Sequence, residues 1–153
     1  MEALQKALAQ LSEQDTAVIV HDLEVMHGRF ERIRAAFPEA ELHAVAIKAN
    51  PLVGVLRSLA EAGAGLEAAS WEEVQLALAA GCPPERIVYD SPAKTEWELK
   101  EALQLKVRLN ADNLEELHRL DRLQPAYPIG VRINPQVGAG SIAMTSVAQR
   151  GSK

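Results

Sequence analysis

The sequence predicts an α/β fold, a partial (β/α)8 barrel of TIM type that supplies about five of the eight strand-helix units. Three observations carry that expectation. Short β-rich runs alternate with longer helical patterns along nearly the whole chain. The centres of the later runs fall near Val45, Glu67, Val88, Arg108 and Val131, so successive spacings are 22, 21, 20 and 23 residues. A period of about 21 residues fits one strand, turn, helix and turn repeated around a barrel. No G-x-G-x-x-G turn is present, as a doubly wound dinucleotide fold would usually require. Gly63-Ala64-Gly65 precedes a strand instead of following one, and Gly138-Ala139-Gly140 also lies in the wrong context.

Residues 17–20 are the first candidate strand. The next, 43–48, leads into a helical pattern over 52–62 with Leu52, Val55, Leu56 and Leu59 on one stripe and Gly63 as a C-cap. A strand at 66–69 follows, and Ser70 then caps a helix over 71–80, with Glu73 at the capping-box position and Gly81 closing it. Strands at 86–89 and 107–109 flank a segment in which Trp97 opens a helix. Asp112 or Asn113 opens the helix 114–123, and 129–133 is the last strand. Residues 135–153 read as a loop heading towards a further strand. Five strands cannot close a barrel, so the chain is expected to be incomplete, with two unpaired sheet edges that invite aggregation or require a partner.

Strand side chains alternate between faces, and the apolar positions identify the face that packs under the helices. Val45 and Ile47 point to the helices, which sends Ala44, Ala46 and Lys48 inward. By the same phasing Leu66, Ile87, Tyr89, Val107, Leu109, Val131 and Ile133 pack outward. Glu67, Val88, Asp90, Arg108, Asn110, Arg132 and Asn134 then face in. Lys48, Glu67, Asp90, Asn110 and Arg132 should therefore converge near the carboxyl ends of the strands, where barrel enzymes place their chemistry. Buried charges are costly unless paired, so a site explains this set more economically than chance. A lysine beside Ala44 and Ala46 sits in a roomy, partly apolar position, and such a lysine can serve as a Schiff-base amine.

Apolar residues make up 48% of the chain and charged residues 24%, an ordinary folded composition that excludes disordered and disulfide-scaffold classes. With 16 basic against 21 acidic residues the net charge is -5, the wrong sign for a nucleic-acid partner. Cys82 is the only cysteine, which precludes an internal disulfide and suits a reducing compartment. No apolar run approaches the roughly 18 residues of a membrane span, and residues 1–20 lack a basic and then apolar leader, so a cytoplasmic protein without a membrane partner is expected. His21, His27, His43 and His118 are scattered, so no metal site is expected. Glu72-Glu73 and Glu115-Glu116 read as solvated helix faces, and Trp71 and Trp97 as residues at the edge of the core.

His43-Ala44-Val45-Ala46-Ile47-Lys48-Ala49-Asn50-Pro51 resembles the pyridoxal-phosphate decarboxylases of the alanine-racemase-like barrel type (fold type III), the group of diaminopimelate, ornithine and arginine decarboxylases. The likeness continues in order through Gly63-Ala64-Gly65-Leu66-Glu67-Ala68-Ala69-Ser70-Trp71-Glu72-Glu73, then Ser91-Pro92-Ala93-Lys94-Thr95 with Glu98-Leu99, and Asn110-Ala111-Asp112 with Glu116-Leu117. It extends to Gly130-Val131-Arg132-Ile133-Asn134-Pro135 with Val137-Gly138-Ala139-Gly140, and to Ser152-Lys153. The resemblance implies that residues 1–40 form a strand and helix preceding the barrel, and that 41–153 form the N-terminal half of a barrel that binds pyridoxal 5'-phosphate.

By that resemblance Lys48 is the catalytic residue and holds the cofactor as a Schiff base, while Glu67 and Arg132 belong to the cofactor-binding set. Glu67 stands where the family commonly has an aspartate. The implied chemistry is loss of the α-carboxylate of a small amino acid, a diaminopimelate-like one as first choice, in a homodimer. The family's ring-stacking histidine, glycine-rich phosphate cup, acidic residue at the pyridine nitrogen and C-terminal β-domain would all follow Lys153, so the chain is expected to be a truncated homologue without decarboxylase activity. Two other readings are a non-catalytic regulatory or binding homologue, which the intact Lys48, Asn50 and Arg132 disfavour, and a racemase on the same barrel, which should lack the Arg132-Ile133-Asn134-Pro135 and Ser152-Lys153 signals.

Overall fold

A computed structural model describes residues 2–12 and 14–133. The chain divides after Pro38 into two compact units. The first contains α1 (Glu2–Leu8) and α2 (Leu23–Ala36). Asp22 caps α2 by accepting from the backbone N–H of Val25 at 2.9 Å, which satisfies one of the orphan donors of the first turn. Residues 17–20 do not form the expected strand. Among the described residues no other strand pairs with this run, and Ile19 stays 82% exposed, so β-propensity alone does not produce a ladder.

The second unit is a five-stranded parallel sheet in sequence order: β1 (Ala44–Ala46), β2 (Gly65–Ala68), β3 (Ile87–Tyr89), β4 (Arg108–Ala111) and β5 (Gly130–Val131). Every neighbouring pair is parallel, as crossover helices demand. The crossovers are α3 (Val53–Glu61), α4 (Trp71–Ala79), α5 (Glu96–Leu105) and α6 (Leu114–Leu123). This is the partial-barrel architecture that the spacing predicts. Ala46, Glu67, Val88 and Arg108 form one cross-strand row, and the alternate row of Leu66, Ile87 and its neighbours points to the helices.

Helix boundaries follow local chemistry. Ser70 accepts from the N–H of Glu73 at 3.3 Å, while the Glu73 carboxylate turns back to accept from Ala69 at 2.7 Å. This is a capping box displaced by one residue, and it halts the solvation expected for Glu73. Thr95 and Glu98 form the standard reciprocal box at α5. Gly63 and Gly81 follow the helix ends with φ of +90° and +84°, conformations that a side chain would strain.

Burial bears out the phasing for the central strands. Leu66, Ile87, Tyr89, Val107 and Leu109 are essentially inaccessible, each contributing about 1.5–3 kcal/mol on burial. Three details differ. The first barrel strand ends at Ala46 because residues Ile47–Ala49 wind into a 3-10 turn. Leu52 is the N-cap of α3 and is exposed, so the stripe begins at Val55. Val131 and Ile133 are 56% and 80% exposed although their phase is the helix side, because no described helix follows β5 to cover them.

Candidate functional site at the carboxyl ends of the strands

Lys48 emerges from the 3-10 turn directly after β1. Ile47 is fully buried and its carbonyl accepts from the N–H of Asn50 at 2.9 Å, so a sealed side chain and a closed turn hold the base of the lysine. The Asn50 Oδ1 accepts from the N–H of Leu52 at 3.3 Å, starting the path into α3. Lys48 itself is exposed on the rim.

Glu67 is half-buried in β2. Burial pushes its carboxyl above the ordinary value, Lys48 and Arg132 pull it back, and Asp90 and Glu73 reinforce the rise. Lys48, Asp90 and Arg132 are thus all near enough for their charges to act on one carboxyl group. Asp90 Oδ1 is buried and has no hydrogen-bond partner among the described residues, so the rim contains an acceptor with an unused lone pair.

Arg132 follows β5 and is gripped twice. Its N–H donates to the Ala111 carbonyl at 2.9 Å, and its guanidinium Nη1 donates to Asp112 Oδ1 at 3.1 Å. The Asp112 side chain is only 4% exposed, that of Arg132 51%. Asn113, not Asp112, caps α6, accepting from Glu116 N at 2.9 Å, and this leaves Asp112 free to hold the arginine. Asn110 lies over Gly130, where an added Cβ would meet its Oδ1, so a side chain at that place in β5 would displace the Asn110 side chain. Asn134, Pro135 and the motifs after them lie outside the described residues.

Arg108 shares the inner row but serves the opposite end of the sheet. Its Nε donates to the Glu85 carbonyl at 2.8 Å and its Nη2 pairs with Glu41 at 2.6 Å, which holds the Glu41 carboxyl below its ordinary range. These groups line a cavity of about 550 Å³ beside β4 and β5, which shares Asn110 with the rim. Tyr127 also lines it and donates to the Val107 carbonyl at 2.7 Å; burial pushes its phenol up to about 12.

Sequence reasoning missed one charged cluster. Glu116, expected on a solvated face, is 1% exposed, and Lys94 is 3% exposed. They pair at 2.6 Å. A signal was available, since Glu116 stands one helical turn before the buried Leu120 and so belongs to the inward stripe of α6. Glu72 and Glu115 are exposed as expected. Trp97 is 57% exposed and packs edge-on against Trp71 at 5.3 Å, so it covers the core edge from outside. Cys82 is buried, and that burial pushes its thiol up, away from reactivity. No group of three potential metal ligands is gathered among the described residues, and no described helix is long and apolar enough to cross a membrane.

The rim offers an exposed primary amine, which can condense with an aldehyde, and a guanidinium, which can hold an anionic ligand. Comparison with known proteins points the same way. Residues 23–153 match the family described as pyridoxal-dependent decarboxylase, pyridoxal binding domain. The diaminopimelate decarboxylase of Vibrio cholerae is 37% identical over 99% of this chain and 38% of its own length. The ornithine decarboxylase of Caenorhabditis elegans is 31% identical over 83% of the chain and 30% of its own length. Among solved structures, diaminopimelate decarboxylase from Helicobacter pylori complexed with L-lysine superposes with a TM-score of 0.77 at 30% identity, covering 88% of this chain and 35% of that one. The chain therefore spans between 30% and 38% of the length of these relatives.

Proposed function

The chain belongs to the pyridoxal-dependent decarboxylases through their pyridoxal-binding domain, and on that premise we propose that it is the cofactor-anchoring N-terminal part of an amino-acid decarboxylase of the diaminopimelate or ornithine type. One observation carries the reading: an exposed lysine amine stands in the turn after β1, and a guanidinium after β5 is held by the Asp112 carboxylate. Lys48 holds the cofactor through its Nζ. Arg132 orients the ring from the far strand, and Asp112 restrains the guanidinium so that little side-chain entropy remains to be lost on binding. Burial holds the Glu67 carboxyl above the ordinary glutamate value, and the Lys48 charge opposes that rise. Pyridoxal phosphate bound there supplies an electron sink for loss of an α-carboxylate.

The substrate is a small amino acid, with a diaminopimelate-like compound the first choice, and the protein acts in the cytoplasm as part of a homodimer. The first is supported by the relatives' names and the second by the lone cysteine. Titration with pyridoxal phosphate tests the core of the reading. The chain should develop a near-visible absorbance band that Lys48→Ala lacks; equal bands in both proteins would remove Lys48 from the site.

A further inference from the structure

The rim rests on a second cluster that touches no ligand in the reading above. Lys94 has three ammonium protons and three acceptors: the Ser91 carbonyl at 2.7 Å, the Asn110 carbonyl at 2.8 Å and Glu116 Oε1 at 2.6 Å. Those acceptors belong to the exit of β3, to β4 and to the first turn of α6. The ammonium also lies 5.4 Å from the Tyr89 ring centroid, and Arg119 donates to the Lys94 carbonyl at 3.1 Å. A buried ion pair is a poor source of stability, because apolar side chains of similar volume often serve as well. Such side chains cannot, however, fix the positions of two carbonyl oxygens.

Those carbonyl positions matter for the strand next door. Asn110 pairs in register with Gly130, Ala111 accepts from the Arg132 N–H, and Asp112 grips the Arg132 guanidinium. The backbone from Asn110 to Asp112 therefore holds Arg132 by both its main chain and its side chain, and Lys94 holds the first residue of that backbone.

We propose that Lys94 and Glu116 are positioning residues: their buried pair sets the backbone of residues 110–112 and thereby the placement of Arg132, and with it the grip of the rim on pyridoxal phosphate. The ligand part of this inference rests on the reading of the rim as a pyridoxal-phosphate site. Lys94 and Glu116 act only through Asp112 and Arg132.

The test uses the 153-residue chain carrying K94M and E116L together, which exchanges the pair for apolar side chains of similar length. Solvent exchange of the Arg132 amide, followed by NMR, is compared with that of the Gly65 amide, whose bond to the His43 carbonyl at 3.0 Å lies between β1 and β2. Arg132 should exchange about tenfold faster in the variant, Gly65 by less than about twofold, and the Kd for pyridoxal phosphate should rise about tenfold. Unchanged exchange at Arg132, or equal acceleration at both amides, overturns the proposal. If the double variant does not fold, E116Q keeps an acceptor for Lys94 and carries the same comparison with an expected acceleration of about threefold at Arg132; no acceleration overturns the proposal. Absence of a Lys48-dependent band in the unmodified chain would instead reject the pyridoxal reading, while the exchange ratio still decides whether the pair holds Arg132.

Discussion

At Lys94 and Glu116 two opposite charges are sealed from water and every ammonium proton has an acceptor, whereas Lys48, Glu67 and Arg132 share a field while exposed or half-buried. Both clusters lie on the carboxyl side of the sheet, in the loops and first turns that follow the strands. The closed one has bonding geometry that fixes backbone. The open one keeps an exposed amine on Lys48 and a guanidinium with half its surface in water. The contrast separates two uses of charge: a buried pair whose ammonium is fully bonded specifies where main chain goes, and exposed rim groups remain accessible to a ligand.

The sharpest way to break this contrast is Lys94→Met alone, which strands the Glu116 carboxylate in the interior. It should cost about 3–5 kcal/mol in urea unfolding, while K94M with E116L should recover most of that. A single-variant loss below about 1 kcal/mol would mean that the pair is effectively solvated. Gly65→Ala provides a reference without charge. An added Cβ would sit 2.7 Å from the Arg86 carbonyl, a backbone atom that cannot swing aside, so a loss of about 1–3 kcal/mol is expected by the same measurement.

The open cluster should respond in function more than in stability. Arg132→Lys keeps the charge beside Asp112 but loses the planar fork, so unfolding should shift by less than about 1 kcal/mol while the Kd for pyridoxal phosphate rises about tenfold. A variant that binds as tightly as the parent would show that Arg132 is not part of the grip.

The smallest effect is a pH signature at Glu67. Its carboxyl titrates higher in the folded chain than the ordinary 4.5, so folding favours the protonated form. That contribution is fully present at acidic pH and is lost as pH rises from the ordinary carboxylate range through the raised folded value. Glu67→Gln removes the dependence. The stability of the parent relative to the variant, measured by urea unfolding at a series of pH values, should fall as pH rises through that window. A gap that does not vary with pH would contradict the assignment.

Strand phasing singled out Lys48, Glu67, Asp90 and Arg132 because each stands at a fixed parity from an apolar residue that must pack under a helix. Asn110 was phased in the same way, and its main-chain oxygen turned out to serve the closed cluster. The closed cluster was illegible as a pair. Lys94 sits in a loop with no periodicity, and Glu116 lies 22 residues away at a position where helices commonly carry a solvated acid. Boundaries were legible where capping chemistry marks them, as at Ser70 and Asn113. They were not at Lys48, where the packing of Ile47 bends the chain into a 3-10 turn, nor at residues 17–20, where a strand lacks a neighbour.

The central claim is that one lysine on the rim, and not the other surface amines, takes up the cofactor. Treatment of the chain with pyridoxal phosphate, borohydride reduction and peptide mass mapping measures this directly. A single dominant pyridoxyl label is expected on Lys48, weakened in Arg132→Lys. A label spread evenly over exposed lysines such as Lys100 and Lys106, or absent from Lys48, would contradict it.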